Sequence, residues 1–138
     1  MQTDDTRALM NRYFEALASG DREGVLATLA DDVEWQTPAS APIDGLTGAA
    51  NIAQALGRDI VKQNFDTSKG FEIQVHSMIV EGGMAVVQQR VITTARSTGT
   101  PYDNEYCWVY RCENDRIVHM NEYVDTLYAA KAFAWEVN

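Results

Sequence analysis

The spacing of apolar residues changes once along this chain of 138 residues, from a helical period to a strand period. Leu9, Tyr13 and Leu17 recur at helical spacing, whereas residues 71–80 begin by alternating apolar and polar side chains. Three helical segments therefore precede a run of four long strands. Helices followed by a meander of strands are typical of an α+β fold, and we predict one domain over residues 1–138.

The segments are joined by residues that end helices and turn strands. Gly20 suits the left-handed position after a first helix, and Asp21 can cap a second. Residues 38–48 hold two prolines and two glycines and predict a loop. Asp125 or Thr126 can cap a short last helix.

Charge and composition exclude several classes of protein. The net charge of −9 argues against nucleic acid and anionic membranes as partners, because both attract basic surfaces. No apolar run approaches the roughly 20 residues that span a bilayer, and the first residues are polar, so we expect a cytoplasmic protein. Cys107 and Cys112 are an odd number of residues apart, so on one strand their side chains would point to opposite faces, which disfavours a disulfide between them. No Cys/His cluster has metal-ligand spacing, so we expect neither a metal nor a cofactor.

Strand alternation predicts which side chains point toward the helices. The last strand has an apolar face interrupted by Glu122, which we therefore place inside the fold. Arg90 lies on a neighbouring strand, and we expect the two charges to pair, because a buried charge is costly alone. Tyr13 would close this pocket from the helix side. The other residues expected to line it are Trp35, Thr37, Ile92, Cys107 and Met120.

The same alternation predicts an aromatic outer face of the sheet. Tyr106, Trp108, Tyr110 and Tyr123 are assigned to it. An aromatic surface of this size is large for a monomer, so we expect a homodimer in which two sheets pack back to back.

Two segments carry a family resemblance. Residues 13–35 contain Tyr-x-x-Ala-Leu-x-x-Gly-Asp followed by Ala-Asp-Asp, an order similar to the opening of the nuclear transport factor 2-like superfamily. Residues 106–126 resemble the SnoaL-like group of that superfamily, which includes polyketide cyclases. The resemblance implies a cone-shaped roll of three N-terminal helices on a curved, mostly antiparallel sheet with one interior pocket. It also implies a homodimer.

The resemblance transfers site residues only in part. Tyr13 matches the oxyanion donor of ketosteroid isomerase, but Thr37 and Cys107 stand where that family has its two functional acids. Limonene epoxide hydrolase places an Arg between two carboxylates. Arg90 and Glu122 match that pattern, but the second acid is replaced by a neutral side chain, that of Ile92.

We therefore predict a protein that binds a hydrophobic small molecule in an apolar pocket. The leading hypothesis is a cofactor-free isomerase, cyclase or hydrolase in which Glu122 acts as the base while Arg90 and Tyr13 orient or polarise the substrate. A structural ion pair between Glu122 and Arg90 is the competing interpretation of those two residues. A non-catalytic ligand-binding protein and a dimeric scaffold are the alternative functions.

Overall fold

The computed structural model describes residues 1–136, apart from the side chains of residues 58–60. The last two residues of the predicted domain, 137 and 138, lie outside the described part. No helix in that part is long and apolar enough to cross a membrane.

The two N-terminal helices form where capping residues predicted them. Helix α1 (Thr3–Ser19) ends at Gly20, which adopts the left-handed conformation with φ of 68°. Helix α2 (Arg22–Thr28) begins at Asp21, whose carboxylate accepts a hydrogen bond of 3.0 Å from the backbone N–H of Gly24. Side-chain capping satisfies a backbone donor that the helix itself leaves unpaired.

The third predicted helix is divided into three parts. Helix α3 (Ala49–Gln54) passes into a π-helical turn at Ala55–Asp59, and helix α4 (Ile60–Asn64) follows. The turn contains Gly57, a residue with low helix propensity. A short 3₁₀ turn at Thr67–Lys69 then leads into the sheet.

Six strands form one curved sheet in the order β2-β1-β6-β5-β4-β3. All neighbouring strands are antiparallel except β1 and β6, which run parallel. A last helix, α5, is capped by Asp125 as predicted. The predicted α+β class is confirmed, and β2 is a strand within the segment expected to be a loop. The bounds are β1 (Leu29–Gln36), β2 (Leu46–Thr47), β3 (Glu72–Glu81), β4 (Met84–Thr94), β5 (Pro101–Glu113), β6 (Arg116–Val124) and α5 (Thr126–Phe133).

A β-bulge in β6 decides which side chains of β5 and β6 share a face. The register set at the β5–β6 turn, if uninterrupted, would place Cys107 opposite Glu122. Val118 is an extra residue in β6, and Trp108 lies opposite Glu122 instead. A shift of one residue exchanges the two faces of a strand. The even-numbered residues of β5 therefore join Glu122 on the side covered by the helices.

Three inward assignments from the sequence are wrong for this reason. Cys107 lies on the outer face of β5. Arg90 and Ile92 pair with odd-numbered residues of β5 and therefore lie on the same outer face of the sheet, on β4. The helix-facing residues of β4 are the odd-numbered ones, which are buried and mostly apolar. Arg90 pairs with Asp103 on the outer face, with Nη2 and Oδ2 2.6 Å apart. The predicted ion pair between Arg90 and Glu122 does not form.

The predicted aromatic outer face is corrected by the same shift. Tyr106, Trp108 and Tyr110 point toward the helices, and Trp108 and Tyr110 are buried. Tyr123 alone of the four lies on the outer face, where it is 53% exposed.

The buried residues form two clusters on the inner side of the sheet. The larger cluster joins α1, α2 and α3 to the sheet and includes Trp35, Trp108 and Met120. The smaller cluster lies beneath α5 and includes Phe65 and Tyr102. Residues of both clusters line one cavity, which therefore lies between them.

Candidate active site

The cavity has a volume of about 140 Å³. Its walls are mainly aromatic and aliphatic side chains from the inner sheet face, the loop after β1, the α3–α4 region and α5. A cavity of roughly 150 Å³ lined by apolar residues holds benzene in another protein. This cavity therefore suits a ligand part of about one six-membered ring.

Glu122 is the one acidic or basic side chain among the described residues that line the cavity. Burial raises the pKa of its carboxyl group from 4.5 to about 7, and interaction with the Trp35 indole opposes part of that rise. No described cationic side chain forms an ion pair with it. The carboxyl group can thus gain and lose a proton near neutral pH.

Two indole groups beside Glu122 carry N–H donors that have no well-aligned acceptor. The rings of Trp35 and Trp108 have centroids 5.6 Å apart, and both residues are more than nine-tenths buried. Neither Nε1–H has a hydrogen-bond partner with good geometry in the described part of the chain. A buried donor without an acceptor costs about 1–3 kcal/mol. The wall around Glu122 is therefore short of acceptors.

A pair of tyrosines forms the next part of the wall. The hydroxyl oxygens of Tyr102 and Tyr106 are 2.6 Å apart, and both residues line the cavity. The side-chain amide of Asn104 donates to the Tyr102 oxygen at 3.1 Å and to the Asp125 carbonyl at 3.1 Å. Burial raises the pKa of both phenols, so they stay protonated at neutral pH.

Gln89 adds an amide to the same wall. The residue is 8% exposed, lines the cavity and lies opposite Tyr106 in the β4–β5 ladder. A glutamine amide offers both donors and an acceptor. Among the described residues, no group of three or more His, Cys, Asp or Glu side chains is placed to hold a metal ion.

Of the residues proposed from the sequence, Glu122 and Trp35 line the cavity. Met120 is fully buried in the larger cluster, beside Trp35 across the β1–β6 ladder. Thr37 donates to the carbonyl of Ile43 at 2.7 Å and so holds the loop that brings Ile43 to the cavity.

Tyr13 lies in the core and is not among the lining residues. It is 1% exposed and packs edge-on against Tyr110, its hydrogen-bond partner, with ring centroids 5.8 Å apart. Burial raises the pKa of the Tyr13 phenol. With Arg90 on the outer face, the predicted group of Glu122, Arg90 and Tyr13 is not assembled.

Sequence reasoning missed the residues of β5 and β4 that surround Glu122. Tyr102, Tyr106 and Trp108 were the largest omissions, and two of them were assigned to the outer face. The alternation of large residues at even positions 102–110 was a usable signal. It indicates that this face of β5 is the buried one.

Comparison with known families gives one match. The model of the SnoaL-like domain family matches residues 10–120. No curated protein sequence matches the chain.

Solved structures share the fold. An NTF2-like protein from Burkholderia xenovorans LB400 is 24% identical with a TM-score of 0.78, covering 96% of this chain and 98% of that one. A proposed SnoaL-like polyketide cyclase from Jannaschia sp. CCS1 is 16% identical with a TM-score of 0.78, covering 98% and 95%. An LEH-like epoxide hydrolase from M. tuberculosis is 19% identical with a TM-score of 0.69, covering 96% and 91%. At these identities the likeness concerns the fold alone.

Proposed function

Because the chain belongs to the SnoaL-like domain family, whose model spans residues 10–120, we propose that it is a cofactor-free enzyme acting on an apolar small molecule. Glu122 is its acid–base group. The supporting observation is a largely buried carboxyl group in a mostly apolar cavity, with no cationic side chain among the described lining residues and a pKa raised by burial to about 7. A catalytic base is most effective when its pKa lies near the working pH.

The position of Arg90 favours proton transfer at carbon over epoxide hydrolysis. Epoxide hydrolysis by an arginine between two carboxylates requires groups that are not found among the described lining residues, since Arg90 lies across the sheet from the cavity and Glu122 is the one carboxyl among those residues. Removal and return of a proton at carbon requires a single base. Isomerisation and aldol-type ring closure both begin with that step, and the proposed cyclase from Jannaschia sp. CCS1 has the same fold.

The test is proton exchange on 2-indanone, an apolar ketone with one aromatic ring. The protein is incubated with it in D₂O, and loss of the CH₂ signals is followed by proton NMR. We expect the wild type to exchange these protons well above the buffer rate, and Glu122→Gln, which keeps the shape of the side chain, to lose this excess. Equal exchange by both proteins would show that Glu122 is not the base.

The pH profile gives an independent check. The base works when ionised, so kcat/KM for exchange should rise about tenfold per pH unit below pH 7 and level off above it. A profile that is flat between pH 5 and 8 contradicts the assignment of Glu122.

A ligand-binding protein without turnover is the second candidate. It is favoured by the lack of a second acidic or basic side chain among the described lining residues. In that case 2-indanone would quench the fluorescence of Trp35 and Trp108 on binding, yet its exchange would stay at the buffer rate. The open cavity favours both candidates over a scaffold role.

We also propose a homodimer through the outer face of the sheet. The aromatic argument for it no longer holds, but Ile79, Met84 and Tyr123 on this face are 64%, 41% and 53% exposed. Half-buried Val86 and Val109 connect them across the strands. Sedimentation velocity should give a dimer for the wild type and a monomer for Ile79→Asp, and a monomeric wild type would exclude this interface.

A further inference from the structure

One of the two hydroxyl protons of the Tyr102–Tyr106 pair has no hydrogen-bond acceptor among the described residues. The orientation of the Asn104 amide is set because its Oδ1 accepts from the backbone N–H of Glu105 at 2.9 Å. Its Nδ2 therefore donates to Tyr102, and Asn104 cannot accept a proton from the pair. One of the two phenol protons makes the mutual hydrogen bond. The other has no acceptor among the described residues.

We propose that Tyr106 donates this proton in a hydrogen bond to a carbonyl oxygen of the substrate. The chain of donors then runs in one direction, from Asn104 to Tyr102, from Tyr102 to Tyr106 and from Tyr106 to the ligand. Hydrogen bonds arranged head to tail polarise and strengthen one another. Asn104 and Tyr102 are positioning residues in this arrangement, and Tyr106 is the group that touches the substrate.

The β5–β6 register brings Tyr106 within reach of the base. Tyr106 lies opposite Val124, and Trp108 lies opposite Glu122, so Tyr106 and Glu122 are diagonal neighbours on the cavity face. Diagonal neighbours are roughly 7–8 Å apart, a gap that long side chains and one carbonyl group can span. The site can therefore hold a carbonyl oxygen at Tyr106 and the adjacent carbon at Glu122.

The step that follows balances without a cofactor. The Glu122 carboxylate takes a proton from the carbon next to the carbonyl, and the C–H electron pair becomes the C=C bond of an enolate. The carbonyl π electrons move to the oxygen, where the Tyr106 hydroxyl stabilises the negative charge. Return of the proton from Glu122 to carbon, at the same or another position, completes exchange or isomerisation.

The donors in the wall also define the substrate class, an inference that rests on the proposed function. The wall offers the Tyr106 hydroxyl and the Gln89 amide, and each can bind an oxygen acceptor. No described cationic side chain lines the cavity, and an ionised Glu122 repels anions. The substrate is thus a neutral carbonyl compound with about one ring, rather than a carboxylate.

The test compares two neutral ligands of the same shape, 2-indanone and 2-methyleneindane, in which a CH₂ group replaces the carbonyl oxygen. Both are titrated into the Glu122→Gln protein, where turnover does not interfere. We expect the ratio of their Kd values to favour the ketone, and Tyr106→Phe on this background to lower that preference about fivefold, as loss of one hydrogen bond predicts. Tyr123→Phe, on the outer face, is the matched control and should leave the ratio unchanged.

An infrared measurement on the Glu122→Gln protein keeps the proposal testable if the Tyr106→Phe variant fails to fold. The carbonyl stretch of bound 2-indanone should lie at lower frequency than in hexane, and a hexane-like frequency would overturn the proposal. So would an unchanged Kd ratio in a folded Tyr106→Phe protein. These results are independent of the exchange assay. The ketone preference could depend on Tyr106 while the wild type shows no proton exchange. That result would confirm the oxygen-binding site and contradict the proposed enzymatic activity.

Discussion

The burial of Glu122 makes the stability of this protein depend on pH in a direction opposite to that of most carboxylates. Its pKa is 4.5 when exposed and about 7 in the folded state. The folded protein therefore binds this proton more tightly than the unfolded chain does. The resulting stabilisation is fully present below pH 4.5 and is lost as the pH rises through about 7. At about 1.4 kcal/mol per pKa unit, the whole effect is about 3 kcal/mol.

The Glu122→Gln variant isolates this contribution, because glutamine resembles the protonated acid and cannot ionise. Between pH 5 and pH 8 the wild type should lose about 2–3 kcal/mol of unfolding free energy relative to the variant. Urea denaturation followed by tryptophan fluorescence at the two pH values measures the difference. Taking the difference between the two proteins cancels the titration of all other groups.

An exposed glutamate provides the control. Glu113→Gln alters an exposed side chain at the end of β5, and its stability relative to the wild type should be the same at both pH values. If the wild type and Glu122→Gln differ by less than 0.5 kcal/mol between pH 5 and pH 8, on the order of experimental error, the carboxyl group is hydrated. Glu122 would then lack the raised pKa on which its proposed role as the base depends.

Three further substitutions separate structural residues from the site. Tyr13→Phe removes the hydrogen bond with Tyr110 and should cost about 1 kcal/mol in urea denaturation, with no change in the Kd of 2-indanone. Arg90→Met removes the partly exposed ion pair with Asp103, so the exchange rate should stay within twofold and the urea midpoint should change little, because solvent screens such a pair. Asp125→Ala removes the cap of α5 and should lower the unfolding free energy by about 1 kcal/mol in the same urea assay. A large loss of exchange in Arg90→Met would mean that the outer face takes part in the reaction.

Local signals in the sequence were sufficient for most of the secondary structure. Gly20, Asp21 and Asp125 mark helix ends that depend on backbone conformation and on one nearby side chain. The third helix was harder to predict, because a π-helical turn around Gly57 divides it without a break in the apolar pattern. The two-residue strand β2 carries no alternation that could have revealed it.

The site was only partly accessible from the sequence. Glu122 and Trp35 were assigned inward, and both line the cavity. Arg90 was assigned inward together with Glu122, and the two charges were then expected to pair. The register shift places Arg90 on the outer face, and burial raises the pKa of the Glu122 carboxyl group instead.

The sequence by itself determined the order of elements, the helix ends and the presence of one acid on the apolar face of β6, because each depends on neighbours along the chain. The tertiary structure decided what surrounds that acid. One extra residue, Val118, shifts the β5–β6 register and turns Trp108 and Tyr106 toward Glu122 while Cys107 faces outward. Strand register is a property of two paired segments, and alternation within either strand alone does not contain it.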